Sequence, residues 1–467
     1  MSTIDFKSFV SRSGVDYKEH QERGVDWCMR NELRETPEVH GGFIADEMGL
    51  GKTIMMLGLV VCNFQNGFKR TLVVLPNVLL HQWSAEILRS CGHRVLVYHG
   101  SKKKQITREM LERAPIVLTT YSAMAVPFIK TKSTDTGKDT VVGGLLHAVS
   151  WDRVIFDEAH HLRNKNSRFY GAKLLPSRSK WFISGTPIQN RKRDFTNLCS
   201  ILGLPVSFVV DEANSEELFR EFVLRRTKAD VGIAFTRLSL EQKNVTWDNL
   251  REKMISQHVH NSMDLSDAKS KLRFILFARQ SCILSQMLRE KLDLSCHDAG
   301  SSKLTAVLNS LSLNRANGNG KLVFCHFHQE IDFVLSQLRE RGFHRIASFD
   351  GRMTQTQKNK VLSLDLEVLV LQIQTGCEGL NLQHKYSEIY FVSPHWNPSV
   401  EDQAVARCHR IGQLKDVQVY KYCMNPIHDN QPDNQPDNQR ENIERYIFNK
   451  QNEKKDISNE IFYSHTL

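Results

Sequence analysis

One short stretch of this sequence, residues 45–53, carries the pattern Gly-x-Gly-Lys-Thr between two apolar runs. The run before it, Gly41–Ile44, predicts a short buried strand, and the run after it, Ile54–Phe64, predicts an apolar helix that ends by Gly67. A strand, a tight glycine turn and a helix form a cradle for phosphate, because several N–H groups then point at one anion at the positive end of the helix dipole. The stretch therefore predicts an α/β fold with a phosphate-binding turn.

The side chains of this turn suit a nucleotide that is bound with Mg²⁺. Lys52 can reach the β- and γ-phosphates, and Thr53 can place its hydroxyl on the metal. The eight-residue form of the pattern has glycine where this chain has Asp46, so only the shorter core matches, and an ordinary strand-to-helix turn is the alternative. The candidate nucleotide-binding residues of the turn are Asp46, Glu47, Met48, Gly49, Leu50, Gly51, Lys52 and Thr53, with Thr53 also a candidate Mg²⁺ ligand.

Further apolar runs alternate with helical patterns in both halves of the chain. Strands that alternate with helices predict a parallel α/β sheet, whose ligand site lies at the carboxyl ends of the strands. The predicted strands are residues 71–76, 94–100, 116–121, 153–156, 181–183 and 321–327, and one that begins at Leu369.

Two carboxylates follow one of these strands directly. Asp157 and Glu158 come after the run 153–156. Asp157 is suited to hold Mg²⁺, and Glu158 is suited to polarise the attacking water. An acidic pair after an apolar strand is common by chance, but downstream of Gly-Lys-Thr in a parallel α/β chain it indicates the hydrolytic half of a phosphate site.

Two other sets of side chains are candidates to complete the site. Gln21, on an amphipathic helix predicted over residues 15–30, can read an adenine edge because its amide both donates and accepts hydrogen bonds. Arg407 and Arg410 are three residues apart, so we expect them to share a helix face, which suits a transferring phosphoryl group. The alternative in both cases is a solvated helical side chain. A polar turn at Ser184–Asn190 is suited to sense the γ-phosphate.

The composition is typical of a globular protein with a polyanionic partner. Of 467 residues, 40% are hydrophobic and 24% are charged, and the lysines and arginines exceed the acidic residues by 62 − 52 = 10. A basic but inert surface is the alternative. We expect no membrane segment and no secretory signal, because no apolar run is long enough and residues 1–10 lack the signal pattern. Ten cysteines without a Cys-x-x-Cys pair favour a reducing compartment and argue against zinc.

The pattern divides the chain into four parts. They are a nucleotide-binding α/β lobe over residues 1–228, a helical insertion or hinge over 229–300, a second α/β lobe over 301–424, and a tail over 425–467 with a short helix at 441–453. The repeat at 430–439, rich in Asn, Gln, Pro and Asp, predicts disorder. We therefore expect removal of the chain from Asn430 onward to leave activity largely unchanged.

Four of these motifs together resemble the ordered motifs of the Snf2 family, the superfamily-2 ATPases that remodel chromatin or move along duplex DNA. The motifs are Asp46–Thr53, Asp157–His160, Ser184–Asn190 and Gln403–Gln413, and the similarity extends over roughly residues 15–424. Within the family, the compact chain without an added reader domain is similar to the global transactivators of insect large DNA viruses.

The resemblance implies two RecA-like lobes with ATP in the cleft between them. Gln21 would contact adenine, residues 46–53 the phosphates and Mg²⁺, and Asp157 with Glu158 the metal and the water, while Arg407 and Arg410 would complete the site from the second lobe. It implies ATP and Mg²⁺ as cofactors and duplex DNA as the partner, with nucleosomes or the transcription machinery as further partners. It also implies a nuclear location, in the host cell for a viral member. The side chains expected to grip DNA are Thr119, Thr120, His326, Arg225 and Arg226.

Two segments depart from the family pattern. The chain has Thr375-Gly376-Cys377 where the family usually has Ala-Gly-Gly, and Ser393-Pro394-His395-Trp396 where Asp-Pro-Trp-Trp is common. Both departures fall in the second lobe, so they bear on the coupling of hydrolysis to movement more than on nucleotide binding.

Two other functions stay open from the sequence. One is an ATP-binding transcriptional scaffold with little turnover, and the other is an RNA helicase, since Asp-Glu-Ala-His also occurs there. Intact Lys52, Glu158 and Arg410 favour turnover, and the segments Asp46–Gly49 and His409–Gln413 favour the Snf2 family over the RNA helicases.

Overall fold

The computed structural model describes residues 5–36, 38–126, 143–185, 192–233, 235–261, 268–288, 300–376, 380–427 and 442–463. The chain forms two compact units, Met1–Ile233 together with Ile457–Leu467, and Ala234–Asp456. The structure thus assigns residues 234–300 and 425–456 to the unit of the second sheet, where the sequence predicted a separate insertion and a tail. Each unit is built on a parallel sheet, and the predicted α/β fold class is confirmed.

In the first unit, the described residues form a seven-stranded sheet with the order β3-β4-β2-β5-β6-β1-β7, and neighbouring strands run parallel. Most of its strands are nearly continuous apolar runs, as expected for strands that are covered on both faces. The strands are β1 Gly41–Ile44, β2 Thr71–Leu75, β3 Leu96–Tyr98, β4 Ile116–Thr120, β5 Trp151–Asp157, β6 Ser177–Ile183 and β7 Val223–Leu224.

Helices connect these strands and cover both faces of the sheet. Alternate residues of a strand point to opposite faces, so Phe43, Phe156 and Phe182 stack in one apolar core, and Ile155 and Trp181 lie in the other. The helices of this unit are α1 Phe6–Ser13, α2 Glu19–Leu33, α3 Lys52–Cys62, α4 Leu80–Cys91, α5 Arg108–Arg113, α6 Tyr121–Met124, α7 Ser167–Leu174, α8 Lys192–Leu202, α9 Val206–Val210 and α10 Ser215–Phe222.

One buried carboxylate holds the end of α2 on the first sheet. The side chain of Glu32 is fully buried and forms an ion pair with the equally buried Arg153 of β5. It also accepts hydrogen bonds from Trp181 at 2.8 Å, Ser179 at 3.2 Å and Asn63 at 2.6 Å. A buried charge is tolerated when its lone pairs are satisfied in this way, so α2 has a defined position against the sheet.

In the second unit, the described residues form a six-stranded sheet with the order β10-β11-β9-β12-β13-β8, and neighbouring strands again run parallel. The strands are β8 Leu238–Val245, β9 Gly320–Cys325, β10 Ile346–Phe349, β11 Val368–Gln372, β12 Tyr386–Phe391 and β13 Val417–Met424. The helices up to residue 405 are α11 Leu250–Asn261, α12 Ala268–Ile283, α13 Ser302–Leu313, α14 His328–Glu340, α15 Gln355–Ser363, α16 Ile373–Gly376 and α17 Pro398–Val405. No helix in the described part of the chain has the length and apolar character needed to span a membrane.

Strand β8 lies in the segment for which the sequence predicted helix, so that prediction is wrong for these residues. Leu238–Val245 is an edge strand, and most of its side chains are exposed, including Leu240 at 59%. An exposed edge strand has no apolar run to reveal it. Only its pairing with β13 over eight residues identifies it as part of the second sheet.

The tail of the chain forms a long helix, α18, which spans Ile443–Tyr463, and its residues up to Asp456 belong to the second unit. Ile443 and Ile447 are buried in the core of that unit, and the Glu444 carboxylate forms a buried ion pair with Lys303 of α13. The repeat at 430–439 lies outside the described residues. The structure therefore contradicts the reason for expecting everything after Asn430 to be dispensable, because its removal would uncover part of a core.

Replacing Ile447 with alanine should lower the free energy of unfolding of the chain by about 2–4 kcal/mol, since a fully buried branched side chain leaves a cavity. Urea unfolding followed by circular dichroism measures the change. The control is Leu313→Ala, because Leu313 is 82% exposed and its truncation should alter the same free energy by less than about 0.5 kcal/mol. Equal effects of the two substitutions would show that α18 does not contribute to the core.

Candidate nucleotide-binding site

The turn between β1 and α3 has the conformation that its glycines predict. Gly49 and Gly51 have φ angles of 94° and 80°, in the left-handed region that favours glycine. Gly51 caps the start of α3, and a Cβ atom at this residue would lie 2.3 Å from Nε2 of Gln21. Residue 51 therefore needs glycine both for its backbone angle and for the close approach of a neighbouring side chain.

Lys52 begins α3, and its ammonium group reaches back across the turn. Nζ donates hydrogen bonds to the carbonyl oxygens of Asp46, at 2.7 Å, and Glu47, at 3.2 Å. The first N–H groups of a helix have no partner within the helix, and Thr53 lies in this first turn. One turn thus brings together a cation, the N–H groups at the start of a helix and a hydroxyl, and this donor set fits the phosphates of a nucleotide and their Mg²⁺.

Asp46 points away from this position and forms a buried ion pair with Arg226. Nη2 of Arg226 lies 2.6 Å from Oδ2 of Asp46, Nε lies 3.1 Å from Oδ1, and Nη1 donates to the carbonyl oxygen of His20. The backbone repeats the connection, because the N–H of Glu47 donates to the carbonyl oxygen of Arg226 at 2.8 Å. The residue that departs from the eight-residue glycine pattern therefore attaches the turn to the segment after β7.

This ion pair overturns one expectation from the sequence. Arg226 was expected to grip DNA together with Arg225, but its guanidinium is occupied inside the first unit by Asp46 and His20. Of the other predicted residues of the turn, Leu50 is fully buried, Met48 packs against Gly185, and the Glu47 carboxylate accepts the N–H of Lys228 at 2.8 Å.

Helix α2 places two side chains on the turn from the opposite side. Nε2 of His20 lies 2.9 Å from the carbonyl oxygen of Leu50, and Nε2 of Gln21 donates to the same oxygen at 3.2 Å. Burial lowers the pKa of His20, which favours its neutral form. Oε1 of Gln21 is buried and accepts no hydrogen bond from any residue that the structure describes. An acceptor in this position fits the exocyclic amino group of adenine.

The sheet places Asp157 at the level of the phosphate turn. Asp157 ends β5 and pairs with Ile183 of β6, and Ile183 pairs with Ile44 at the end of β1. Neighbouring strands are about 4.8 Å apart, so Asp157 and the end of β1 are about 10 Å apart. This separation leaves room for the phosphates of a nucleotide and a metal ion.

Two donors fix the carboxylate of Asp157. Nε1 of Trp83, on α4, donates to Oδ2 at 2.7 Å, and the N–H of Glu158 donates to Oδ1 at 3.0 Å. Burial, together with the neighbouring Glu158 carboxylate, raises the pKa of Asp157 to about 7. A buried carboxylate of this kind is well suited to a metal ion, whose charge favours the ionised form.

Glu158 has φ 54° and ψ 52°, and it is the one non-glycine residue of the described ranges with positive φ. Such a conformation costs about 1–3 kcal/mol and is found mainly at functional sites. Oε2 of Glu158 lies 3.4 Å from Nδ1 of His160. The backbone therefore turns sharply after β5, and the Glu158 carboxylate does not continue along the strand.

The motif after β6 is only partly described. The N–H of Ser184 donates to the carbonyl oxygen of Ile44 at 3.2 Å, so the end of β6 is joined to the end of β1. Residues 186–190 lie outside the described ranges, and the proposed sensing of the γ-phosphate stays a prediction.

Arg407 and Arg410 belong to the second unit, and the prediction that they share a helix face is wrong. Helix α17 ends at Val405, and both arginines lie in the turn that follows. The chain tightens where the helix ends, and the carbonyl oxygens of Ala404 and Val405 accept the N–H groups of Arg407 and Cys408, three residues further on. Nη1 of Arg410 donates to Oδ1 of Asn381.

Three residues that were expected to face DNA are buried instead. The exposed fractions of Thr119 and Thr120 are 0% and 2%, and Oγ1 of Thr119 donates to the carbonyl oxygen of Tyr98 at 2.9 Å. His326 is 8% exposed, and its Nε2 lies 3.2 Å from the carbonyl oxygen of Ser393. These side chains stabilise the ends of strands and are not available on the surface.

Sequence reasoning missed the role of two residues in the site, since Trp83 was given none and Arg226 was expected to grip DNA. The indole of Trp83 orients the carboxylate of Asp157, and the guanidinium of Arg226 holds the phosphate turn. Both lie far from their partners in the sequence. For Trp83 the sequence did offer a signal. A tryptophan on the helix after β2 is expected to be buried, and a buried indole N–H needs a hydrogen-bond acceptor.

Two family models match the chain. The SNF2-related domain matches residues 20–318, and the helicase conserved C-terminal domain matches residues 302–412. The chain belongs to the Snf2 family. The matched segments contain the phosphate turn, the acidic pair and the arginine turn, and the prediction of a helicase-like ATP hydrolase of this family is confirmed.

Several Snf2-family proteins are similar to this chain in sequence. The probable global transactivator of Orgyia pseudotsugata multicapsid polyhedrosis virus is 28% identical, over 95% of this chain and 91% of the relative. ATP-dependent DNA helicase DDM1 of Arabidopsis thaliana is 25% identical, over 88% of this chain and 59% of the relative. DNA excision repair protein ERCC-6-like of Danio rerio is 24% identical, and the match spans 33% of that protein. The predicted similarity to a viral global transactivator is confirmed, whereas the cellular relatives are much longer than this chain.

Among solved structures, the Sulfolobus solfataricus SWI2/SNF2 ATPase core in complex with double-stranded DNA covers 88% of this chain, with 21% identity and a TM-score of 0.41. The two-lobe α/β fold of this Snf2-family chain rests on its own two parallel sheets rather than on that similarity.

Replacing Trp83 with phenylalanine should weaken the apparent affinity for Mg²⁺ in an ATPase assay by about 10- to 100-fold, because the Asp157 carboxylate loses the donor that orients it. A titration of ATP turnover with MgCl₂ measures the change. The control is Trp151→Phe, which also removes a buried indole donor, but one that faces the carbonyl oxygen of Leu146. An unchanged Mg²⁺ requirement in Trp83→Phe would exclude this role of the indole.

Replacing Arg226 with methionine should destabilise the first unit by about 3–5 kcal/mol, because the fully buried carboxylate of Asp46 is left without its partner. The double variant Asp46→Asn/Arg226→Met should recover much of the loss, since no unpaired charge stays buried. Thermal unfolding and nucleotide binding measure both variants. Arg108→Met is the control, because the Arg108–Glu112 pair is exposed and contributes less than about 1 kcal/mol. A double variant no more stable than Arg226→Met would contradict the charge argument.

Proposed function

We propose that this chain is an ATP-dependent translocase that moves along duplex DNA without separating its strands. The proposal rests chiefly on one observation, the placement of the Asp157–Glu158 pair two strands away from the Lys52 turn at the same edge of one sheet. That spacing suits hydrolysis of a bound nucleoside triphosphate. The second α/β unit has its own parallel sheet, so it can move as a domain when ATP is hydrolysed.

We assign the following roles in hydrolysis. Bound with ATP, Mg²⁺ supplies charge neutralisation of the phosphates. Lys52 and Thr53 hold the phosphates and the metal, Asp157 contributes a further oxygen ligand, and Glu158 orients and activates the attacking water.

Three further side chains complete the assignment. Gln21 reads adenine through its buried Oε1. Arg407 and Arg410, inside the matched helicase C-terminal segment, supply positive charge to the transferring phosphoryl group.

Two observations support DNA as the partner. The chain has a net charge of +10. Lys102, Lys103 and Lys104 are exposed on one short 3₁₀ segment, and no ion pair of theirs is found within the described residues, whereas the cations of α5 are paired with Glu112 and Glu109. Unneutralised lysines suit the phosphate backbone, which carries little sequence information.

The names of the relatives support a role for this activity in transcription or chromatin remodelling. One relative is named a DNA helicase, and another a global transactivator of a virus. We therefore place the activity in transcription or chromatin remodelling in a nucleus, the host nucleus for a viral member, with nucleosomes or the transcription machinery as partners.

The test compares ATP turnover without nucleic acid and with duplex DNA, single-stranded DNA or RNA. Duplex DNA of any sequence should stimulate turnover, and the stimulation should fall steeply between low and physiological salt because phosphate contacts release counterions. Glu158→Gln should keep nucleotide binding and lose turnover, and Lys52→Ala should lose binding, because it removes the cation from the phosphate site.

A strand-displacement experiment tests movement on the duplex. ATP should drive the release of a third strand from a triplex, while a forked duplex stays annealed. Stimulation by RNA but not duplex DNA, or efficient separation of the fork, would assign the protein to the RNA helicases. ATP binding without turnover in the wild-type chain would favour a scaffold.

A further inference from the structure

A buried carboxylate in the second unit joins three elements to the helix that precedes the arginine turn. Glu401 lies on α17 and is 1% exposed. Its Oε1 accepts the N–H of His395 at 2.7 Å and Nε2 of Gln451 at 2.8 Å, and its Oε2 accepts Nζ of Lys421 on β13. The donors come from the loop before α17, from α18 and from the sheet.

Gln451 is attached to the same loop by a second hydrogen bond. Its Nε2 also donates to the carbonyl oxygen of His395, and Gln451 is 3% exposed. Three residues further along α18, Nζ of Lys454 donates to the carbonyl oxygen of Trp396 at 3.0 Å. The helix α18 thus holds the loop through main-chain atoms, while its own position is determined by the buried Ile447 and by the Glu444–Lys303 pair.

This loop is the segment in which the chain departs from the resembled family pattern, with Ser393-Pro394-His395-Trp396 in place of Asp-Pro-Trp-Trp. Nη2 of Arg279, from α12, donates to the carbonyl oxygen of Pro394 at 3.1 Å, and the ring of His395 stacks on that of His326 at 5.6 Å. The loop is therefore held by other elements as well. Gln451, however, donates hydrogen bonds both to the loop and to the carboxylate on α17.

We infer that Gln451 is a positioning residue for ATP turnover, acting through Glu401 on α17 and the Arg407–Arg410 turn. Arg407 follows the end of α17 by two residues, so a change in the direction of α17 moves both guanidinium groups. A buried carboxylate that loses one donor must rotate or shift to find another, and α17 shifts with it. A displacement of about 1 Å in a catalytic group lowers turnover by about 100-fold.

This inference rests on the proposed function of Arg407 and Arg410, and its test includes a measurement that is independent of ATPase activity. In the full chain, Gln451→Leu removes the donor while keeping an apolar side chain of similar size. We expect kcat to fall by about 10- to 100-fold, with nucleotide affinity unchanged within about twofold. Amide hydrogen exchange in residues 398–412 should be faster in this variant, since α17 loses an attachment.

The matched control is Lys450→Leu, one residue away on the same helix, where the lysine side chain is 39% exposed, forms an ion pair with Glu453 and lies over the ring of Tyr446. This variant should leave kcat and the exchange of residues 398–412 unchanged. Gln451→Glu should be worse than Gln451→Leu, because two buried carboxylates then face each other. Glu401→Gln/Gln451→Glu should restore at least about tenfold in kcat over Gln451→Glu alone, because one amide and one carboxylate again face each other.

Three results would overturn the inference. The first is unchanged amide exchange of residues 398–412 in Gln451→Leu, and the second is equal kcat in Gln451→Leu and Lys450→Leu. The third is a lower kcat that is fully explained by partial unfolding of Gln451→Leu at the assay temperature. A wild-type chain without ATP turnover would instead contradict the proposed function, and the exchange measurement would still decide whether Gln451 positions α17.

Discussion

The ion pair between Asp46 and Arg226 is the interaction on which the nucleotide site depends most. It joins three segments that are distant in the sequence: the phosphate turn, the chain after β7 and, through the carbonyl oxygen of His20, helix α2. Helix α2 is fixed again at its other end by the buried Glu32–Arg153 pair. A glycine turn alone is flexible, so these buried charges supply the rigidity that a preorganised phosphate site requires.

The two carboxylates after β5 are likewise positioned by neighbouring elements. Strand register places Asp157 at the level of the turn, and the indole of Trp83 fixes its orientation. The strained backbone of Glu158 then separates the second carboxylate from the first, as the proposed division into a metal ligand and a group that activates water requires. Such strain persists only where the surrounding structure is rigid, which the stacked phenylalanines of β1, β5 and β6 provide here.

In the second unit, the sequence after residue 425 contributes more than composition indicates. Its low-complexity repeat precedes a helix whose apolar and charged side chains complete the core. The same helix reaches the loop before α17 and so links the tail to the arginine turn. The departure at His395 falls at this contact, where main-chain atoms rather than a family-typical side chain hold the loop.

The sequence by itself determined the fold class, most strands of the first sheet, the phosphate turn and the acidic pair, because each is local: apolar periodicity, glycine spacing and a carboxylate at a strand end. It also identified the family, since its motifs occur in a fixed order. Only the tertiary structure decided the partners of Asp46, Asp157 and Glu401, the burial of Thr119 and His326, and the place of β8. These contacts depend on which segments pack together. The identity of a residue does not show whether its side chain faces solvent or forms a buried ion pair.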